Sequence, residues 1–157
     1  MRAPGPLNAE HDIATFDCGE SSLNEWLRRR AHTNQGAGAS RTYVVADDRL
    51  RVLGYYALAA GAVSHMHATG AIRRNMPEPI PVLVLARLAV DRSQQGRALG
   101  AALLKDALLR TMAVEREIGV RALLAHAVNE TAKAFYLRHG FVESPVDALT
   151  VMLRLPR

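Results

Sequence analysis

The chain reads as a mixed α/β domain in which helices pack on one sheet. Three observations carry this reading. Val82 to Val90 is a nearly continuous apolar run, as in a strand buried on both faces. Shorter segments rich in Val and Tyr before it have strand composition. Between and after the strands lie segments whose apolar residues recur at spacings of three and four, the helical period. The 157 residues suit one compact domain, 1–157. With 49% hydrophobic and 22% charged residues, the composition supports a core without covalent staples.

Taken in order, residues 1–12 read as loop, because Pro4 and Pro6 oppose regular structure and leave room only for a short edge strand. Ser22 to His32 reads as a helix: Ser22 and Glu25 have capping-box spacing, and Leu23, Trp26, Leu27 and Ala31 share a face. Gln35 to Ser40 reads as a flexible loop. Arg41 to Ala46 and Val52 to Ala60 are expected strands, joined by a turn at Asp47-Asp48-Arg49. Ser64 to Pro81 is expected to be irregular, closed by Pro77, Pro79 and Pro81. After the Val82–Val90 strand and a Gln/Gly loop, a long helix runs to about Glu117 with a stripe of Ala101, Leu104, Leu108 and Met112. Arg121 to Val128 is a further strand. Thr131 to His139 is a short helix, with Asn129 to cap its start and Gly140 its end. Leu149 to Leu155 alternates as a last strand.

The composition also sets limits. With Cys18 as the one cysteine, no intramolecular disulfide forms, and a reducing, cytoplasmic setting is expected. Met1 to Pro6 is not followed by an apolar run, so neither a signal peptide nor a membrane partner is expected. The net charge of +5 favours polyanionic partners, nucleic acid or a phosphorylated cofactor, without choosing between them.

The segment from Leu88 to Ala101 carries the most chemistry. A buried strand, Leu88-Ala89-Val90, runs into a loop of small residues and then into a helix. Small side chains let the backbone approach a ligand. The first N–H groups of a helix lack internal partners and, with the helix dipole, suit a phosphate. Arg92 and Arg97 add charge nearby. On these grounds alone the segment is either a phosphate-type anion site or a tight strand-to-helix turn.

The residues resemble a known family at this point. Gln95-Gly96-Arg97-Ala98-Leu99-Gly100 resembles the pyrophosphate-binding motif of the GNAT N-acetyltransferases, Gln/Arg-x-x-Gly-x-Gly/Ala. Arg87 to Asp91 resembles their acetyl-CoA-binding strand. Asn129, Ala132, Phe135, Tyr136, Gly140 and Phe141 fall on a second family segment, N-x-x-A-x-x-F-Y-x-x-x-G-F. Ala98 stands where the first motif has its central glycine, and a position in the first helical turn would accept it without strain. Phe16-Asp17-Cys18-Gly19, Leu23 to Leu27, Ser40 to Val44, Gly54 to Leu58, Pro79-Ile80-Pro81 and Gly140 to Pro145 extend the resemblance to one branch, the GNAT toxins of bacterial type II toxin–antitoxin systems. It implies the GNAT acyl-CoA N-acyltransferase fold: a central, mostly antiparallel sheet, a splayed strand pair holding acetyl-CoA, and helices on both sides. It further implies acetylation of the α-amino group of aminoacyl-tRNA, a homodimer, and neutralisation by a ribbon-helix-helix antitoxin. The cofactor residues it implies are Leu88, Ala89, Val90, Gln95, Gly96, Arg97, Ala98, Leu99, Gly100, Ala101, Asn129, Ala132 and Phe135.

Acetyl transfer to an amine needs a neutral amine, a polarised thioester carbonyl and a proton for the departing thiolate. An α-amino group titrates at roughly 8, so a strong general base is dispensable. A backbone N–H near Leu88 to Val90 is placed to polarise the carbonyl. Tyr136, in the second motif, is the candidate acid. Arg28, Arg29, Arg30, Arg41, Arg73, Arg74, Lys105, Arg110 and Arg138 are candidate phosphate contacts for tRNA. No metal is expected: His65-x-His67 lacks a third ligand at useful spacing. His126 reads as a hydrogen-bonded core histidine, and Cys18 has no histidine placed to activate it. Two alternatives stay open: a GNAT enzyme for a small amine or a protein N-terminus, and a non-catalytic CoA-sensing module.

Overall fold

The computed structural model describes residues 3–156. It is a mixed α/β structure whose seven strands are hydrogen-bonded in the order β1-β2-β3-β4-β5-β7-β6. The backbone divides into two compact units. The first takes the residues up to 59 with 86–107; the second takes 60–85 with 108 onward.

In the first unit, β1 (Gly5–Pro6) pairs antiparallel with β2 (Arg41–Ala46), which pairs antiparallel with β3 (Val52–Val63). The expected single helix is two: α1 (Ser21–Arg29) and α2 (Ala31–Ala37), broken at Arg30. The capping box at Ser22 and Glu25 does not form. The N-cap is Glu20, which makes no side-chain cap bond, and Ser22 lies within the helix. The expected loop from Gln35 is the last turn of α2, ended by Gly38 at φ 77°. Gln35 explains this extension: its amide donates to Leu7 O at 2.6 Å and accepts from Thr42 N–H at 2.8 Å. The face of Leu23, Leu27 and Ala31 is buried as expected, in a core with Phe16, Val44, Val52, Tyr55 and Ala89.

Two neighbouring tyrosines on β3 hold helices on opposite faces, as side chains alternate along a strand. The Tyr55 hydroxyl donates to Leu23 O of α1 at 2.7 Å, and Trp26 stacks on its ring at 5.9 Å. The Tyr56 hydroxyl donates to Asp106 Oδ2 of α4 (Leu99–Glu115) at 2.5 Å. Gly54 clears the way for α4: a Cβ there would meet Leu103 Cδ1 at 3.0 Å and Leu99 Cδ2 at 3.2 Å. The deepest line of α4 includes Leu103, Ala107 and Thr111, all at 0% exposure, one step round from the expected stripe. Ala101, Leu108 and Met112 are only half-buried.

In the second unit, β4 (Ile80–Val90) pairs parallel with β5 (Ala122–His126) from Val82↔Ala122 to Leu85↔Ala125. β5 pairs antiparallel with β7 (Thr150–Arg154), and β7 with β6 (Val142–Glu143), a short strand absent from the sequence reading. The segment expected to be irregular holds a short helix, α3 (Gly70–Arg73), capped by Thr69. Arg121 is 8% exposed and closes the other end of α3, donating from Nε to Ile72 O at 3.0 Å and from Nη2 to Ala71 O at 3.1 Å. A buried guanidinium is tolerable there because the carbonyls of a helix C-terminus carry partial negative charge. α5 (Glu130–Arg138) is capped as expected: Asn129 Oδ1 accepts from Ala132 N–H at 2.9 Å, and Gly140 follows at φ 92°.

Candidate active site

The first unit carries the strand, loop and helix expected to hold a phosphate. Leu88, Ala89 and Val90 are the last residues of β4. Asp91 turns the chain, Arg92–Gln94 form one 3-10 turn, and Gln95, Gly96, Arg97 and Ala98 lie exposed ahead of α4. The first helical bond of α4 runs from Ala102 N–H to Ala98 O at 3.1 Å, so the N–H groups of Leu99, Gly100 and Ala101 precede the helical ladder. The unit thus brings all ten expected strand and loop residues onto one path.

Two details differ from expectation. Ala98 is not in the first turn of the helix. It precedes α4 at φ 63°, the left-handed region, as does Gly96 at φ 79°. Alanine there carries roughly 1–2 kcal/mol of strain that glycine would not. Arg92 faces a carboxylate: its Nε lies 3.6 Å from Asp17 Oδ2. Both arginines are exposed, and Arg97 lies on the loop itself.

The second unit carries Asn129, Ala132, Phe135 and Tyr136, all at the cap or on α5. Tyr136 is 4% exposed and wedged between Phe135, with ring centroids 5.4 Å apart, and Phe141, at 5.3 Å. Burial pushes its phenol above the ordinary value, so the group holds its proton through the neutral range. Asn129 fixes the start of the helix and thereby the direction of Tyr136, two turns on. Lys133 and Glu143 pair across α5 and β6.

The remaining candidates take simpler roles. His126 is exposed rather than in the core, with Nδ1 3.0 Å from Thr150 Oγ1. His65 Nε2 meets the carbonyls of Met76 and Pro77 at 3.0 Å, and His67 Nδ1 lies 2.7 Å from Ser64 Oγ. Among the described residues no group of three or more His, Cys, Asp or Glu fits a metal ion. Burial pushes the Cys18 thiol up, the wrong direction for a nucleophile. Of the basic candidates, Arg28 donates to Phe16 O and Arg41 to Gln35 O, both remaining exposed; Arg110 is half-buried. No helix among the described residues is long and apolar enough to cross a membrane.

Sequence reasoning assigned Asp17, Asn24 and Asp91 no contact of their own, yet Asp91 and Asp17 join the loop after β4 to the loop before α1, and Asn24 holds Asp17. Their signal was local: Asp91-x-Ser93 and Asp17-x-Gly19 are turn-forming spacings in which a carboxylate accepts an N–H two residues on.

Comparison with known proteins identifies the family. Residues 38–143 match the acetyltransferase (GNAT) domain family. A tRNA-acetylating toxin of Mycobacterium tuberculosis is 48% identical over 151 residues, spanning 96% of this chain and 90% of its own length. The structure of AtaT complexed with acetyl-methionyl-tRNAfMet matches with a TM-score of 0.89 and 28% identity, covering 97% of this chain and 94% of that one. A tyrosine-to-phenylalanine variant of AtaT, bound to acetyl-CoA and the C-terminus of the antitoxin AtaR, matches with a TM-score of 0.82 and 29% identity, covering 98% and 92%. A family match over most of the chain, with a relative 48% identical over nearly all of it, makes this chain a member of the GNAT acetyltransferases.

Proposed function

We propose that this chain moves an acetyl group from acetyl-CoA to the α-amino group of aminoacyl-tRNA, as the toxin of a type II toxin–antitoxin pair that blocks translation. The observation that carries this reading is the 48% identity to the mycobacterial tRNA-acetylating toxin over nearly the whole chain. Residues 1–157 act as one catalytic domain in this reading, in the cytoplasm, as a homodimer. The AtaT complex with its antitoxin supports a protein antitoxin as partner, for which a ribbon-helix-helix protein is the family's type.

The residues present fit acetyl-CoA. The exposed loop at Gln95–Ala98 offers small side chains and backbone N–H groups ahead of the 17-residue α4, which is what a diphosphate needs. Gln95, Gly96, Arg97, Ala98, Leu99, Gly100 and Ala101 are assigned to the diphosphate. Leu88, Ala89 and Val90 are assigned to the pantetheine arm by backbone contacts, and Asn129, Ala132 and Phe135 to the same coenzyme. When bound, acetyl-CoA supplies an activated thioester.

This chain's own residues then do three things. A backbone N–H of Leu88 to Val90 donates to the carbonyl oxygen and stabilises the charge that develops there. Tyr136 donates its phenolic proton to the departing sulfur; its raised pKa keeps that proton in place until the sulfur becomes basic. The loop and strand hold the reacting carbon at a fixed place, which lowers the entropic cost of the encounter. No side chain is assigned as a strong base, because an α-amino group titrating at roughly 8 is about one-tenth neutral at pH 7, and the ester of an aminoacyl group titrates lower still.

The test supplies labelled acetyl-CoA and charged total tRNA, with uncharged tRNA and a panel of small amines as controls. Label that follows charged tRNA and is released by mild alkali as N-acetyl-amino acid is the expected result. Label that ignores tRNA and enters a small amine or peptide would overturn the acceptor while leaving the acetyltransferase in place.

A further inference from the structure

The loop after β4 is held from outside by a second loop, and two aspartates form the junction. Asp91 N–H donates to Leu53 O of β3 at 2.8 Å. One Asp91 carboxylate oxygen accepts from Asp17 N–H at 2.9 Å; the other accepts from the N–H and hydroxyl of Ser93 at 3.0 and 2.7 Å. Arg92 N–H donates in return to Asp17 O at 2.8 Å. Asp17 Oδ1 accepts from Gly19 N–H and from Asn24 Nδ2, both at 3.0 Å. Asn24, buried on α1, accepts from Cys18 N–H at 2.9 Å. Gln95 closes the circuit, its amide donating to Cys18 O and to Val90 O, both at 2.9 Å.

The sign of the charge says what these aspartates are for. A carboxylate beside a diphosphate repels it, so neither Asp17 nor Asp91 is a ligand contact. Their oxygens are directed at the two loops and at Arg92. Hydrogen bonds from Gly19 N–H and Asn24 hold the Asp17 carboxyl below its ordinary value. Burial works against ionisation of Asp91, but the bonds from Asp17 and Ser93 outweigh it and leave that group lowered as well. Both stay ionised at neutral pH and accept charge-assisted bonds, the stronger kind. The junction they form adjoins a segment with left-handed residues at 96 and 98, one of them alanine, and is tied to it through the Gln95 amide. Such a conformation persists when its surroundings over-determine it.

We propose that Asp91 and Asp17 are positioning residues that hold residues 95–98 in the coenzyme-binding shape before the coenzyme arrives. The proposal rests on reading residues 95–101 as the diphosphate site. A pre-shaped loop lowers the ordering cost of binding, so these residues govern affinity for the coenzyme and leave chemistry alone.

The test titrates coenzyme A calorimetrically against the full chain and follows acetyl transfer in parallel. Asp91→Ala is expected to weaken coenzyme A about tenfold, or 1.4 kcal/mol, and to raise KM for acetyl-CoA alike. Its kcat and its KM for the acceptor stay within about twofold. Asp91→Asn, which keeps one acceptor oxygen toward Asp17, recovers most of the loss. Gly100→Glu separates the proposal from the reading beneath it, since a carboxylate among the helix N–H groups should abolish coenzyme A binding. Unchanged binding in Gly100→Glu overturns the diphosphate reading. Abolished binding there, with a folded Asp91→Ala that binds like the parent, overturns the positioning role alone. So does a fall in kcat at unchanged KM. If Asp91→Ala does not fold, Asp17→Ala replaces it with the same tenfold expectation, and unchanged affinity in that variant counts against the proposal.

Discussion

At Tyr136 a single oxygen atom separates two accounts of the same side chain. The ring is packing: it is 4% exposed and lies between Phe135 and Phe141. A phenylalanine fills that space equally well, so the hydroxyl is free to be tested by itself. Tyr136→Phe should leave the melting temperature within a degree or two and the coenzyme A affinity within about twofold. It should lower kcat by about 100-fold, the lower end for loss of a positioned acid. Near-parental turnover in a folded Tyr136→Phe would remove the tyrosine from the mechanism. The same residue fixes the pH profile. Because burial raises the phenol's pKa, the acid stays protonated from pH 6 to 9.5. The rate should therefore rise with pH as the acceptor amine loses its proton, then level off. A descending limb between pH 8 and 9.5 would mean that the essential acid is another group.

The elements differ in how far the sequence announced them, and the differences have physical causes. α5 was legible at both ends because its signals are local: a capping Asn129 whose side chain reaches Ala132 N–H, and Gly140 at positive φ. β2, β4 and α4 were legible from composition and period. The break at Arg30 and the extension of α2 to Ala37 were not, because the stabilising contact is Gln35 bonding to Leu7 and Thr42, far away in the chain. The same reason hid Arg121, whose carbonyl partners lie 47 to 50 residues earlier. Ala98 was misplaced by one residue, which matters because that residue separates a helical φ from a left-handed one. Where the signal was local it can be tested locally. Asn129→Ala should destabilise the chain by about 1 kcal/mol, lowering Tm by about 2–4 °C without coenzyme. Asn129→Ser, which keeps a capping oxygen, should recover most of that. An Asn129→Ala variant melting with the parent would show that the cap bond contributes nothing in the full chain.

For the molecule as a whole the governing quantity is charge. A net +5 over 157 residues favours an enzyme that must capture a polyanion over one that must attract a small polyamine. The exposed candidates Arg28, Arg29, Arg30, Arg41, Arg73, Arg74, Lys105 and Arg138 contribute to that charge. Binding that uses phosphate contacts releases counterions, so its strength falls with salt in proportion to the number of contacts. With only three contacts, KM for charged tRNA should rise by roughly 20- to 40-fold between 50 and 200 mM salt. KM for acetyl-CoA, whose assigned loop at residues 95–98 carries one arginine, should move far less. Measured side by side on one preparation, the two slopes separate capture of the acceptor from general salt effects on the enzyme. Parallel, shallow slopes would mean that the basic surface takes no part in holding the acceptor, and recognition would then have to rest on the aminoacyl end alone.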